Sequence, residues 1–149
     1  LDGRWARRPY PGNDFVIPFG RGKVLTKGHK LTVVTWGAMV ERCEAAALEI
    51  ANGIEVIDLR TIQPWDKTLV LDSVKKTGKC LIVHEDNLTA GFGAEISATL
   101  AKDAFFDLDA PIERLAMPDT PNPHNIHLMN KAVPSKDKIK QMMLEQIEI

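Results

Sequence analysis

The chain has 149 residues, enough for one domain with a real hydrophobic core. Its apolar share of 44% and charged share of 26% are those of an ordinary globular protein, and a net charge of −1 gives bulk electrostatics no hold on nucleic acid. No apolar run is long enough to span a bilayer, and no secretory signal opens the sequence.

The charge is uneven along the chain. Residues 1–42 hold eight Lys or Arg against three acids, and residues 43–149 hold eleven against seventeen. The first stretch therefore reads either as a basic arm that meets another surface or as solvated coil. The chain opens on Leu1 rather than Met, so we expect a piece of a longer polypeptide. Residues 1–20 contain three prolines and three glycines, which forbids a regular helix. Trp5, Tyr10, Phe15 and Phe19 are too many aromatics for a free linker, so the arm is expected to lie on a neighbouring domain or subunit. Residues 1–28 are read as this extended basic arm and 29–149 as the folded domain. Gly22 to Thr26 has the pattern of a short edge strand closed by a turn at 27–29.

The order then becomes regular. LTVVTW (31–36) is rich in β-branched residues and predicts a strand. Gly37 makes a turn, and Met39, Val40, Cys43, Ala46, Ala47, Leu48 and Ile50 give a helical period that stops at Asn52-Gly53. IEVIDL (54–59) is the next strand. Pro64, Trp65 and Asp66 open a helix running to about Thr77, with Leu69, Val70, Leu71 and Val74 inward and Gly78 as the stop. Leu81, Ile82 and Val83 form an apolar run expected of a strand buried on both faces. His84, Glu85 and Asp86 follow where that strand should end, then a turn holding Gly91 and Gly93. A helix follows, with Phe92, Ile96, Leu100 and Ala104 on one face. IERLAM (112–117) predicts a further strand, and residues 118–134 read as Pro-rich loop. Ser135 caps a last helix that carries Ile139, Met142, Met143, Gln146 and Ile149 near one face. Alternation of this kind with short links signals a three-layer α/β/α fold with a mainly parallel sheet and right-handed crossovers.

The stretch from Lys79 to Ile96 has the layout of a site at the carboxyl edge of an open sheet. His84 and Glu85 could do acid–base work there, but no nucleophile motif accompanies them, which favours a structural pair. The amides of Gly91, Phe92, Gly93 and Ala94 begin a helix and could hold an anion, unless Glu95 already complements that helix end. The glycines of a dinucleotide-binding turn are missing after Trp36, so Asp58 reads as a strand-end carboxylate paired with Arg60 or a helix terminus. No phosphate-binding loop is present. His124 and His127 lack a usual zinc spacing, and no metal ligand set is expected. Cys43 and Cys80 match no metal or redox pattern and read as buried, inert thiols in a reducing compartment.

Four segments, VVTWGAMVERCEAA (33–46), IEVIDLRTIQPWD (54–66), IVHEDNLTAGFGAEI (82–96) and LDAPIERLAMPDTPNPH (108–124), together resemble one family, and PYPGNDFVIPFGRGKVLTKG (9–28) fits as well. They resemble the C-terminal domain of the E1 β subunit of thiamine-diphosphate-dependent 2-oxo acid dehydrogenases, of the branched-chain (2-oxoisovalerate) or pyruvate type. The fold so implied is the transketolase C-terminal one. The activity implied for the whole enzyme is oxidative decarboxylation of a 2-oxo acid with acyl transfer to lipoyl-E2, in branched-chain amino acid catabolism if the first type applies. By the same resemblance, thiamine diphosphate and magnesium belong to the whole enzyme and this portion binds neither. The implied partners are the E1 α half and a second β half, as a heterotetramer or fused dimer, and the basic subunit-binding domain of E2; neither nucleic acid nor a membrane is implied. The family's acidic contact with E2 falls on Asp109, with Ile149 in the same region by analogy. The implied location is bacterial cytoplasm or, in a eukaryote, the mitochondrial matrix. Transketolase and 1-deoxyxylulose-5-phosphate synthase share the fold and are the rival readings. A stand-alone anion- or nucleotide-binding module built on the 91–94 turn is a rival of another class.

Overall fold

The computed structural model describes residues 9–50 and 53–149, as one five-stranded sheet with helices on both faces. In chain order the elements are β1 (Lys23–Thr26), β2 (Leu31–Thr35), α1 (Met39–Leu48), β3 (Ile54–Asp58), α2 (Lys67–Thr77), β4 (Cys80–Asn87), α3 (Phe92–Asp103), β5 (Glu113–Met117), α4 (Ile126–Ala132) and α5 (Lys136–Glu148). A 3₁₀ turn, Phe105–Asp107, follows α3. The strand order is β1-β3-β2-β4-β5. Only β1 runs antiparallel, against β3; the other neighbours pair in parallel.

Side-chain alternation along the strands builds the two cores. Leu31, Val33, Ile54, Val56, Leu81 and Val83 point to one face, where they meet Met39, Cys43 and Ala46 of α1 and Ile139 and Met143 of α5. Val34, Ile57, Cys80 and Ile82 point to the other, where they meet Val70 and Val74 of α2 and Ile96 and Leu100 of α3. Both strand faces are thus covered, which explains why β2 and β4 carry apolar runs rather than alternating polarity. Both cysteines are free and buried, and burial pushes each thiol up to about 12.

Helix ends follow their sequence signals. Asp66 caps α2 by accepting from the Leu69 amide at 3.2 Å, and Gly78 closes it at φ 70°. Ser135 caps α5 by accepting from the Lys138 amide. Glu49, just past α1, binds Lys136 at 2.5 Å and Lys140 at 2.9 Å of α5, and those two cations hold its carboxyl down at about 2.

Several expectations are corrected. Residues 118–134 are not all loop, because α4 occupies 126–132. Leu48 is 73% exposed rather than core, and Ile149 lies beyond the last turn of α5 and is exposed. The strand holding His84 does not end there but continues to Asn87. Within the segment 1–28 the expected edge strand forms as β1, and Gly20 and Gly22 donate to Thr61 and Asp66. Tyr10, Phe15 and Phe19 are exposed, while Arg4, Trp5, Arg7, Arg8 and the helix stop at Asn52 lie outside the described residues. Asp58 accepts from the backbone amide of Arg60 at 2.9 Å, not from its guanidinium.

Candidate functional site

The switch point of this sheet lies between β2 and β4, because the connection leaving β2 goes to one neighbour and those reaching β4 and β5 go the other way. In open α/β sheets a crevice forms there, outside the carboxyl ends of the strands. Here the crevice is filled. His84 is fully buried and stacks on Trp36, with ring centroids 5.2 Å apart and planes 10° apart, and Phe92 meets the same indole edge-on at 5.9 Å. Gly91 and Gly93, at the start of α3, lie against the imidazole. A Cβ at Gly93 would fall 2.5 Å from His84 Nε2, so glycine is what lets the helix start close over the ring. Neither ring nitrogen has a hydrogen-bond partner among the described residues. Burial pushes the imidazole below its ordinary 6.5, with Asp86 pulling it back up and Arg114 adding to the drop.

The pairing of His84 with Glu85 is not realised. Consecutive strand residues point to opposite faces. His84 lies under α3, whereas Glu85 is exposed and lines a small hollow of about 60 Å³ with Met39, Glu41 and Arg42 on the α1 side. The 91–94 turn is likewise no open cradle, because Gly91 and Gly93 are buried on His84. The loop leading to it is pinned instead. Thr89 donates to Asp119 through both its amide (2.9 Å) and its hydroxyl (2.5 Å), and those bonds hold the Asp119 carboxyl below its usual range. No group of three metal-ligating side chains occurs among the described residues, and His124 and His127 are exposed at the start of α4.

Asp109 sits at the opposite, amino edge of the sheet. It is exposed, its amide donates to the Gly78 carbonyl at 2.8 Å, and its carboxylate lies over Gly78. The next residue, Lys79, donates to the Ile147 carbonyl at 3.2 Å. Asp109 and the end of α5, where Ile149 is 66% exposed, are therefore joined through the 78–79 turn. Beside Asp109 is an apolar hollow of about 600 Å³ lined by Ala101, Phe105, Phe106, Leu108, Pro111 and others. Phe106 is 97% exposed and meets Phe105 edge-on. Sequence reasoning passed over these phenylalanines; their signal was an apolar pair placed past the helical stripe that ends at Ala104.

A buried polar network lies at the same edge, under α2. Glu55 accepts from Ser73 at 2.6 Å and from Lys76 at 2.5 Å, and Thr32 links Ser73 (2.7 Å) to Thr77 (2.8 Å). Every member is paired, as a polar cluster beneath a helix must be.

The family model described as "Transketolase, C-terminal domain" matches residues 20–139. The chain is 46% identical over 123 residues to the mitochondrial 2-oxoisovalerate dehydrogenase subunit beta 2 of Arabidopsis thaliana, covering 80% of this chain and 34% of that protein. It is 42% identical over 127 residues to the pyruvate dehydrogenase E1 component subunit beta of Rickettsia bellii, covering 80% of this chain and 38% of that protein. The chain thus spans about a third of the length of these curated relatives. Among solved structures, a split-gene transketolase described as an inactive beta4 tetramer superposes with a TM-score of 0.77 at 21% identity, over 92% of this chain and 44% of that one. That likeness speaks for the fold alone.

Proposed function

The chain belongs to the transketolase C-terminal domain family, and from that premise we propose that it is the C-terminal domain of the E1 β subunit of a 2-oxo acid dehydrogenase. In the whole enzyme it serves subunit assembly and docking of the E2 acyltransferase, while the enzyme decarboxylates a 2-oxo acid and passes the acyl group to lipoyl-E2. The observation that carries this reading is identity above 40%, over more than 120 residues, with proteins named as beta subunits of two such dehydrogenases. The rest of the E1 β subunit, the E1 α half and a second β half complete the enzyme in this proposal. Its place is the mitochondrial matrix in a eukaryote or the cytoplasm in a bacterium. No helix among the described residues is long and apolar enough to cross a membrane.

The described residues do not fit thiamine diphosphate or its magnesium. The switch-point crevice is filled by His84 and Trp36, and the start of α3, which could have faced a diphosphate, is closed on the imidazole. No step of the reaction is assigned to this chain.

The docking face in this proposal is the amino edge. Asp109 supplies an exposed carboxylate for a basic partner, with the Phe105–Phe106 hollow beside it as an apolar anchor point, and Ile149, exposed at the end of α5, belongs to the same proposed face. Asp109→Ala in the assembled protein should weaken binding of an isolated E2 subunit-binding domain by at least about tenfold, roughly 1.4 kcal/mol. Surface plasmon resonance at two salt concentrations measures it, and the loss should shrink at high salt for a rim pair. Equal affinities at both concentrations would take Asp109 out of the docking face.

A further inference from the structure

Among the described residues β5 is an edge strand, with β4 as its one neighbour in the sheet. Along its outer side runs a groove of about 660 Å³. One wall is β5 itself from Arg114 to Pro118, and the other is the α4–α5 junction from Asn130 to Ser135, with Lys138 and Met142 at the base of α5. An edge strand leaves a row of backbone donors and acceptors open to pairing.

The backbone of β5 sets which groups are open. Met117 gives its carbonyl to the Leu88 amide at 2.9 Å, on the β4 side. Backbone groups alternate along a strand, so Glu113 and Leu115 also face β4, while the N–H and C=O of Arg114 and Ala116 point away from β4, to the open edge beside the groove. The charge of the groove is one-sided. Lys131 and Lys138 line it and no carboxylate does; Arg114 contributes its backbone, because it pairs in register with Ile82 and its side chain lies on the α3 face. Neither lysine forms an ion pair among the described residues.

From this juxtaposition we propose that the β5 groove is a docking site for an extended acidic peptide segment of a partner protein. The segment adds as a sixth strand, pairing with the outward groups of Arg114 and Ala116. Its carboxylates meet Lys131 and Lys138, and its apolar side chains lie along the groove floor toward Met142. Main-chain pairing supplies affinity, and the two lysines supply the choice of partner. This site is separate from the amino-edge face around Asp109, because it lies along β5 toward its carboxyl end.

The test uses the full 149-residue chain and fluorescein-labelled octapeptides, read by fluorescence anisotropy. An alternating Glu–Val peptide should bind saturably, and an alternating Lys–Val peptide should not. N-methylation of alternate residues should abolish binding in one register and spare it in the other, since only one edge of the added strand pairs with β5. Lys131→Glu combined with Lys138→Glu should weaken the Glu–Val peptide at least about tenfold, with an unchanged melting curve because both side chains are exposed. Equal binding of the Lys–Val peptide, indifference to N-methylation in both registers, or no saturation would overturn the proposal. Indifference to methylation alone would reduce the groove to a patch of positive charge.

Discussion

The imidazole of His84 lies parallel to the indole of Trp36 in the place where an open α/β sheet would otherwise hold a ligand. The ring is kept neutral by its burial, which sets its pH dependence. Its folded-state value is below its unfolded one, so its contribution to stability is complete above about pH 6.5 and is lost as pH falls through the folded value. The other three histidines, His29, His124 and His127, are exposed. Urea midpoints of the chain should therefore be lower at pH 5 than at pH 7.5. In His84→Leu much of that difference should disappear; a difference of the same size in both proteins would assign it to carboxylates instead.

The fit of α3 over this ring is tight enough to measure. In Gly93→Ala the new methyl falls 2.5 Å from His84 Nε2 and 3.3 Å from Ile82 Cγ2. Overpacking of a filled core costs about 1–3 kcal/mol, and urea unfolding should show a loss in that range. The same substitution in a His84→Ala background should cost much less, since residues in contact are not additive. Equal costs in both backgrounds would show that the helix start does not rest on the ring.

Much of the architecture is written plainly in the chain. The apolar runs of β2, β3 and β4, the Asp66 and Ser135 caps and the Gly78 stop all stand where their local chemistry puts them. What was misread depended on facts that local patterns carry weakly. Polar residues after Val83 looked like a strand end, yet β4 runs on to Asn87, because burial of His84 comes from α3 and Trp36, not from its own polarity. The split of His84 from Glu85 was legible, since period-two alternation along 80–85 puts neighbours on opposite faces. α4 is short and sits among four prolines, but Asn125 accepts from the amides of His127 (2.9 Å) and Leu128 (3.4 Å), a cap readable in the sequence. The β5 groove and the Phe105–Phe106 hollow join segments far apart in the chain and have no local signature.

The network under α2 makes a further prediction. Glu55 is buried, which by itself would raise its carboxyl, but bonds from Lys76 and Ser73 bring it below the usual range. Lys76→Ala leaves that carboxylate buried with one partner fewer. Leaving a buried polar group unsatisfied costs about 1–3 kcal/mol, and the half-exposed ammonium puts this case toward the low end. Glu55→Gln combined with Lys76→Ala should recover part of the loss. A variant as stable as the parent in urea at pH 7 would mean that the pair is carried by solvent.

The central claim is the proposal that this chain, which spans about a third of the length of its curated relatives, forms part of an E1 β subunit. The measurement that tests it most directly assays the full-length protein. It is assembled with the E1 α half, E2 and lipoamide-oxidising component that the proposal gives it, and supplied with thiamine diphosphate, magnesium, coenzyme A and NAD. Pyruvate, branched-chain 2-oxo acids, 2-oxoglutarate and ketose phosphates are offered in turn, and NADH formation and ketol transfer are both followed. The account predicts NADH formation with a branched-chain 2-oxo acid or pyruvate and no ketol transfer. Ketol transfer between sugar phosphates, with no turnover of any 2-oxo acid, would contradict it.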